Sequence, residues 1–243
     1  ITVFTAGAST AALPYNALGE FTGEVGPGSA ILQTRLTESA TLDSTGDVAG
    51  APGWARFEIS SREDLSASWT TAWQPARSEN DFIVKATVAS LAPETRYFYR
   101  VQISENPAGE KMRLGVRNTF CTAPEPDAVR DVLFTVTTSH QYRCRESEQG
   151  LEAYRAMTRL NPEFNFLTGD DVYYDNDKPV ARDVAGMRHH WHRMFGMPLL
   201  REFYRNVPGY WMKDDHDYRY DDADPFMPAR EGGSPTDEQG RMV

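Results

Sequence analysis

The feature that most constrains this chain is a change of hydrophobic period at Cys121-Thr-Ala-Pro124-Glu-Pro126-Asp127. Before it, from Gly23 to about Phe120, short β-rich runs (29–36, 53–59, 81–88 and 95–103) alternate apolar and polar residues and are separated by turn residues. A period of two puts one side of each run in a core and the other in water, so the spacing predicts half-buried strands of a sandwich. After it, Asp131-Val-Leu-Phe-Thr-Val-Thr137 is a continuous apolar and β-branched run, the pattern of a strand buried on both faces. Two prolines spaced by one residue favour extended chain, and the junction reads as a linker.

Beyond the linker the pattern becomes strand and helix in turn. Leu151, Tyr154, Met157 and Leu160 recur at helical spacing, predicting an amphipathic helix over 146–160 that Asn161-Pro162 stops. A second strand is expected at 164–168, a second helical stretch over 180–205 interrupted near Gly196-Met197-Pro198, and a third strand at 209–213. Such an order predicts a parallel βαβαβ unit with right-handed crossovers. Residues 221–243, rich in Asp, Pro and Gly, read as a long loop. The expected division is an all-β domain over 1–123 and an α/β domain over 124–243.

Each of the three predicted parallel strands runs into residues suited to hold a cation. The first leads to Ser139-His140-Gln141, the second to Gly169-Asp170-Asp171, the third to Asp214-Asp215-His216-Asp217. Ligands of open α/β sheets bind outside the carboxyl ends of the strands, so the topology would bring these residues to one edge. Carboxylate and imidazole donors suit Mn, Zn, Fe or Mg, and a bridging carboxylate can hold two ions. Such a pair activates water against phosphorus and offsets charge on the phosphoryl oxygens. Tyr173, three residues past Asp170, is placed to return its phenol to the same ion. Asp171, Asp214 and Asp217 are expected around these ligands or against substrate, and Tyr174, Asp175 and Asp177 in the same loop as Asp170. A solvated turn or a helix cap is the competing reading of each acidic motif taken singly. His189, His190 and His192 read as a polar face of the second helix, and Cys144 as structural.

A formal net charge of −10 argues against nucleic-acid backbone as a non-specific partner. A small phosphorylated substrate stays compatible if bound cations reverse the local field. No apolar run reaches about 18 residues, so no membrane span is expected. Two cysteines, Cys121 and Cys144, are too few for a disulfide framework, and whether they pair is left open. The start at Ile1 fits a processed chain, with a periplasmic or secreted location as the expectation.

Two stretches carry family resemblances. Leu91-Ala-Pro-Glu-Thr-Arg-Tyr97-Phe-Tyr99-Arg-Val101 resembles the fibronectin type III corner, in which a tyrosine hydroxyl bonds back to the preceding loop. Over nearly its whole length the chain resembles the alkaline phosphatase D (PhoD-like) branch of the calcineurin-like metallophosphoesterases. Gly23-Glu-Val and Ala30–Leu36 look like that family's first strands, and Asn118–Pro124 like its exit into the catalytic domain. Gly169-Asp170-Asp-Val-Tyr173 looks like its Gly-Asp-x-x-Tyr, and Trp211-Met-Lys-Asp214-Asp215-His216-Asp217 like its Trp-x-Asp-Asp-His-Glu/Asp block.

The resemblance implies a fibronectin-like or Ig-like sandwich followed by a metallophosphoesterase domain holding two metal ions (Fe, Ca, Zn, Mn or Mg). It implies that Asp170 bridges, that Tyr173 and Asp215 are ligands, and that His216 contacts the phosphate or protonates the leaving group. His140 stands where the family commonly has Cys, which lowers the ligand charge and favours a divalent ion. The family's later histidine ligands have no counterpart before Val243, so the catalytic domain is expected to be incomplete. Residues 1–243 alone should then bind metal weakly and hydrolyse little. The rival reading is a binding module whose fibronectin-like domain contacts a partner or polysaccharide and whose metal site is vestigial.

Overall fold

The computed structural model describes residues 12–223. The expected loop over 221–243 therefore lies, beyond residue 223, outside the described residues. In chain order the first strands are β1 (Glu20–Gly23), β2 (Ser29–Arg35), β3 (Gly53–Ser60), β4 (Trp69–Thr70) and β5 (Gln74–Ala76). β6 (Ile83–Ala89), β7 (Arg96–Ser104), β8 (Met112–Leu114) and β9 (Asn118–Cys121) follow. Then come β10 (Phe134–Thr137), α1 (Glu152–Leu160), β11 (Phe164–Leu167), α2 (Val184–Phe195), α3 (Pro198–Tyr204), β12 (Gly209–Trp211) and the short α4 (Asp215–Tyr218). The result is a mixed, sheet-rich fold with few helices.

One sheet has the order β10-β11-β12-β1-β2-β6, and the other β4-β3-β7-β8 with β5 on β3 and β9 on β7. β10, β11 and β12 run parallel, with Phe134 opposite Phe164 and Phe166 opposite Tyr210. β1 lies parallel to β12 through Gly23 and Gly209, so strands from both sides of the Pro-rich junction form one sheet. Period-two patterning explains the first core. Val84, Ala86 and Val88 of β6 meet Ala55, Phe57 and Ile59 of β3 and Tyr99, Val101 and Ile103 of β7 in one buried cluster. The Tyr97 hydroxyl accepts a hydrogen bond from the Ala92 amide at 2.9 Å, closing the turn before β7.

Helices α1–α3 cover one face of the parallel strands. Tyr154 of α1 packs on Phe203 and Tyr204 of α3, and Tyr204 reaches Trp211 of β12. Local chemistry sets the helix ends. The Asp183 side chain caps α2 through the Gly186 amide, Pro198 opens α3, and Asn161 closes α1 in the left-handed region ahead of Pro162. α1 starts at Glu152 instead of Glu146, and Leu160 is exposed, so the expected apolar stripe narrows to its N-terminal part.

The expected burial of 131–137 on both faces is corrected by the structure. β10 is the edge strand, only Phe134–Thr137 is in strand, and Phe134 and Val136 are 50% and 55% exposed. They lie on the face opposite the helices, where Phe134 stacks on Phe164 and Phe166 on Tyr210. A parallel sheet is normally covered on both sides, and here one side carries an aromatic surface.

The α2 histidines also depart from expectation: they are not a polar outer face. His190 and His192 are buried, and His190 Nε2 bonds the Pro179 carbonyl at 2.8 Å. The His192 ring bridges two carboxylates far upstream in the chain, Asp47 Oδ1 at 2.7 Å and Asp81 Oδ2 at 2.6 Å. Arg35 holds the other Asp81 oxygen at 3.0 Å, and His189 holds the other Asp47 oxygen at 2.8 Å. Arg188 adds a bond to the Glu79 carbonyl at 3.0 Å. α2 is thus clasped to two loops of the N-terminal half of the chain. Cys121 and Cys144 are free thiols, and among the described residues no helix is long and apolar enough to cross a membrane.

Candidate metal centre

Because β10, β11 and β12 are parallel and adjacent, their carboxyl ends share one edge. The loop after β11 must turn sharply there. Gly169 and Asp170 both take the left-handed region, with φ of 100° and 57°. A Cβ on Gly169 would stand 2.6 Å from the Asp214 backbone nitrogen, so glycine lets the β11 and β12 loops touch.

The junction is held by Asp217. Its carboxylate, 1% exposed, accepts from the amides of Asp170 (2.6 Å), Asp171 (2.8 Å), Val172 (3.1 Å) and Asp214 (3.1 Å). With Asp214 at the N-cap and Asp217 at the third helical position, this is also the capping box of α4. Burial raises the Asp217 pKa, and the amides only partly oppose it.

These turns bring Asp170, Asp215 and His216 together, with one donor atom from each within 4.8 Å of the others. Asp170 Oδ2 accepts from the Tyr173 hydroxyl at 2.7 Å, and Ser139 Oγ lies 3.5 Å away. Asp170 Oδ1 is buried with no hydrogen-bond partner. Burial raises the Asp170 pKa, and it also pushes Tyr173 up to about 12, with help from the bond to Asp170. Asp215 resists its own desolvation because the Asp222 and His216 amides donate to it, and its pKa is lowered. His216 packs on Tyr173 at 4.2 Å between ring centroids, and its Nδ1 lies 3.0 Å from Asp175 Oδ1.

One ligand expected from the sequence sits elsewhere. His140 is not brought into the cluster. Ser139 has φ of 53°, and the His140 Nε2 instead meets the Tyr154 hydroxyl at 2.8 Å, where burial lowers its pKa to about 4. From Tyr154 a buried polar chain runs on through Tyr204 to Asn165. Asp171 is fully buried with both oxygens lacking hydrogen bonds, and burial raises its pKa to about 8, with the Asp217 and Asp170 charges adding to it. Asp214 is exposed and serves as the α4 cap. Tyr174 accepts from Trp191 at 2.6 Å, and Asp177 accepts from the Tyr142 amide at 3.0 Å, so both brace the loop. Sequence reasoning gave Ser139 no contact of its own. It also left the Asp175–His216 contact unnamed, and it missed the capping role of Asp217, which the Asp-x-x-Asp spacing at 214–217 signals.

The donor set fits a hard or borderline cation: two carboxylates, an imidazole, and a buried carboxylate oxygen without a partner. Residues 5–124 match the family model of the PhoD-like phosphatase N-terminal domain. Over that N-terminal stretch the chain is similar to the PhoD-like phosphatases. The solved structure of PhoD superposes with a TM-score of 0.73 at 18% identity, over 95% of this chain and 43% of that one. A purple acid phosphatase isolated from yellow lupin (Lupinus luteus) seeds follows with a TM-score of 0.59 at 11% identity, over 91% of this chain and 38% of that one. At these identities the likeness is one of fold. The chain spans less than half the length of either structure. Comparison with curated proteins finds no match.

Proposed function

We propose that this chain carries part of a metal-dependent site for hydrolysing phosphate esters. The observation behind the proposal is the convergence of Asp170, Asp215 and His216 at one sheet edge. Asp170 and Asp215 would hold the cations, with Tyr173 fixing one Asp170 oxygen. Two ions, drawn from Fe, Ca, Zn, Mn or Mg, are the proposed complement. When bound, such ions offset phosphoryl charge and lower the pKa of water. Asp175 orients the His216 ring through Nδ1, which leaves Nε2 to donate a proton to the departing alcohol. The Tyr97 corner bond favours a fibronectin-like reading of the sandwich.

More chain is proposed to complete the site and to cover the aromatic face of Phe134, Val136, Phe164 and Phe166. Two observations support this: that face is open, and the chain spans less than half of both similar structures. Residues 1–243 alone should therefore bind cations weakly and turn over slowly.

The test is elemental analysis of the full protein together with hydrolysis of a chromogenic phosphodiester, a phosphomonoester and a carboxyl ester. His216→Ala should lower turnover of the phosphodiester by at least about tenfold, the usual scale of general acid catalysis. A smaller loss removes His216 from the acid role. The turn of His140 away from the cluster favours a second reading, a binding module with a vestigial site. Protein without bound metal and without hydrolysis would select it.

A further inference from the structure

We propose that Asp217 is the positioning residue of this site, fastening the two ligand-bearing loops to each other before any cation arrives. The inference rests on reading Asp170 and Asp215, beside His216, as a cation site. Ligands on separate loops are usually gathered by the ion, whose like-charged carboxylates repel until it binds. Here another anion does the gathering. Asp217 receives three successive amides of the β11 loop, from Asp170, Asp171 and Val172, at sequence separations of 45 to 47 residues. The same carboxylate receives the Asp214 amide of its own loop at 3.1 Å.

Successive amides aimed at one point form an anion-binding concavity, and Asp217 fills it from within the protein. Two consequences follow for the donors. Asp170 is held in its left-handed conformation by a bond to its own amide, which fixes the direction of its side chain. Asp215 and His216 start a helix whose third residue, Asp217, is the one that grips the β11 loop. The spacing between Asp170 and Asp215 is thus set by backbone bonds to Asp217, and Gly169 permits the close approach. Asp217 itself is buried, with both carboxylate oxygens taken by amides. It acts through the loops.

The experiment compares the chelator-treated full protein, as parent, with its Asp217→Asn and Asp217→Glu variants. It measures Mn2+ binding by electron paramagnetic resonance and amide hydrogen exchange at residues 170–172 without metal. Asn keeps the shape but turns a donor toward the amides, and should speed exchange at those amides and weaken Mn2+ binding by at least about tenfold each. Glu keeps the charge but displaces the carboxylate by one methylene, and should weaken Mn2+ at least about fivefold if position matters; an effect of charge alone predicts an affinity within about twofold of the parent. Should Asn prevent folding, the Glu variant decides. The inference is overturned by unchanged exchange, or by Mn2+ affinity within twofold of the parent in either folded variant. Failure of the parent itself to bind Mn2+ would instead sink the cation reading on which the inference rests.

Discussion

Replacing His192 by alanine would leave two carboxylates, Asp47 and Asp81, facing each other across an emptied slot between α2 and the loops that carry them. In the parent both ring nitrogens contact carboxylate oxygens, at 2.7 and 2.6 Å, and both can donate only as an imidazolium. Burial opposes that charge, yet the bonds to Asp47 and Asp81 outweigh it and the His192 pKa is raised. The two carboxylates are correspondingly lowered: burial pushes each up, and His192, with His189 at Asp47 and Arg35 at Asp81, more than compensates. Removing one partner of a buried ion pair costs about 3–5 kcal/mol. Asp47 is 26% exposed and Arg35 still neutralises Asp81, so a loss of about 2–3 kcal/mol is expected. For a domain of this size that is a fall in Tm of roughly 4–12 °C.

The pH dependence has a definite sign. His192, raised in the folded state, contributes fully below its unfolded pKa and loses the contribution as pH rises through the folded value. Asp47 and Asp81, lowered, contribute fully above their unfolded value and lose the contribution as pH falls through the folded ones. The clasp is therefore strongest between about pH 4 and 6.5, the unfolded values of carboxylate and imidazole. Thermal melts followed by circular dichroism from pH 4 to 9 at fixed ionic strength, on parent and His192→Ala, would measure it. The gap between them should be widest near pH 5–6 and shrink above about pH 6.5. A gap independent of pH, or a Tm within about 1 °C of the parent at pH 6, would refute the ionic account.

Gly169→Ala combines a left-handed backbone with a methyl group driven against the Asp214 backbone, and should cost about 2–4 kcal/mol in chemical denaturation. Unchanged stability would mean that the two loops separate freely. Tyr97→Phe leaves the Ala92 amide without its 2.9 Å acceptor and should cost about 1 kcal/mol, a Tm drop of roughly 2–4 °C by calorimetry.

Much of the fold was legible because hydrophobic period is a local signal. The alternation in 29–36, 53–59, 81–88 and 95–103 corresponds to β2, β3, β6 and β7 within a residue or two, and the break at Gly196-Met197-Pro198 separates α2 from α3. Period alone misjudged 131–137, because a run of apolar residues says nothing of whether a covering layer is present. It misjudged the α2 histidines for a similar reason. Their partners Asp47 and Asp81 lie more than a hundred residues upstream, in loops with no periodicity to read.

The two acidic motifs divide the same way. Residue type and strand order, both in the sequence, determined that Asp170, Asp215 and His216 would share an edge. The tertiary structure alone decided which of their neighbours face it. Ser139, with a positive φ, stands beside Asp170 while His140 turns to Tyr154, and a shift of one residue at a strand end reverses the side a side chain takes. The same holds for Asp217, fourth in an acidic run that could all have been solvated. It is buried where four amides, three of them from a loop some 45 residues away, converge on its carboxylate.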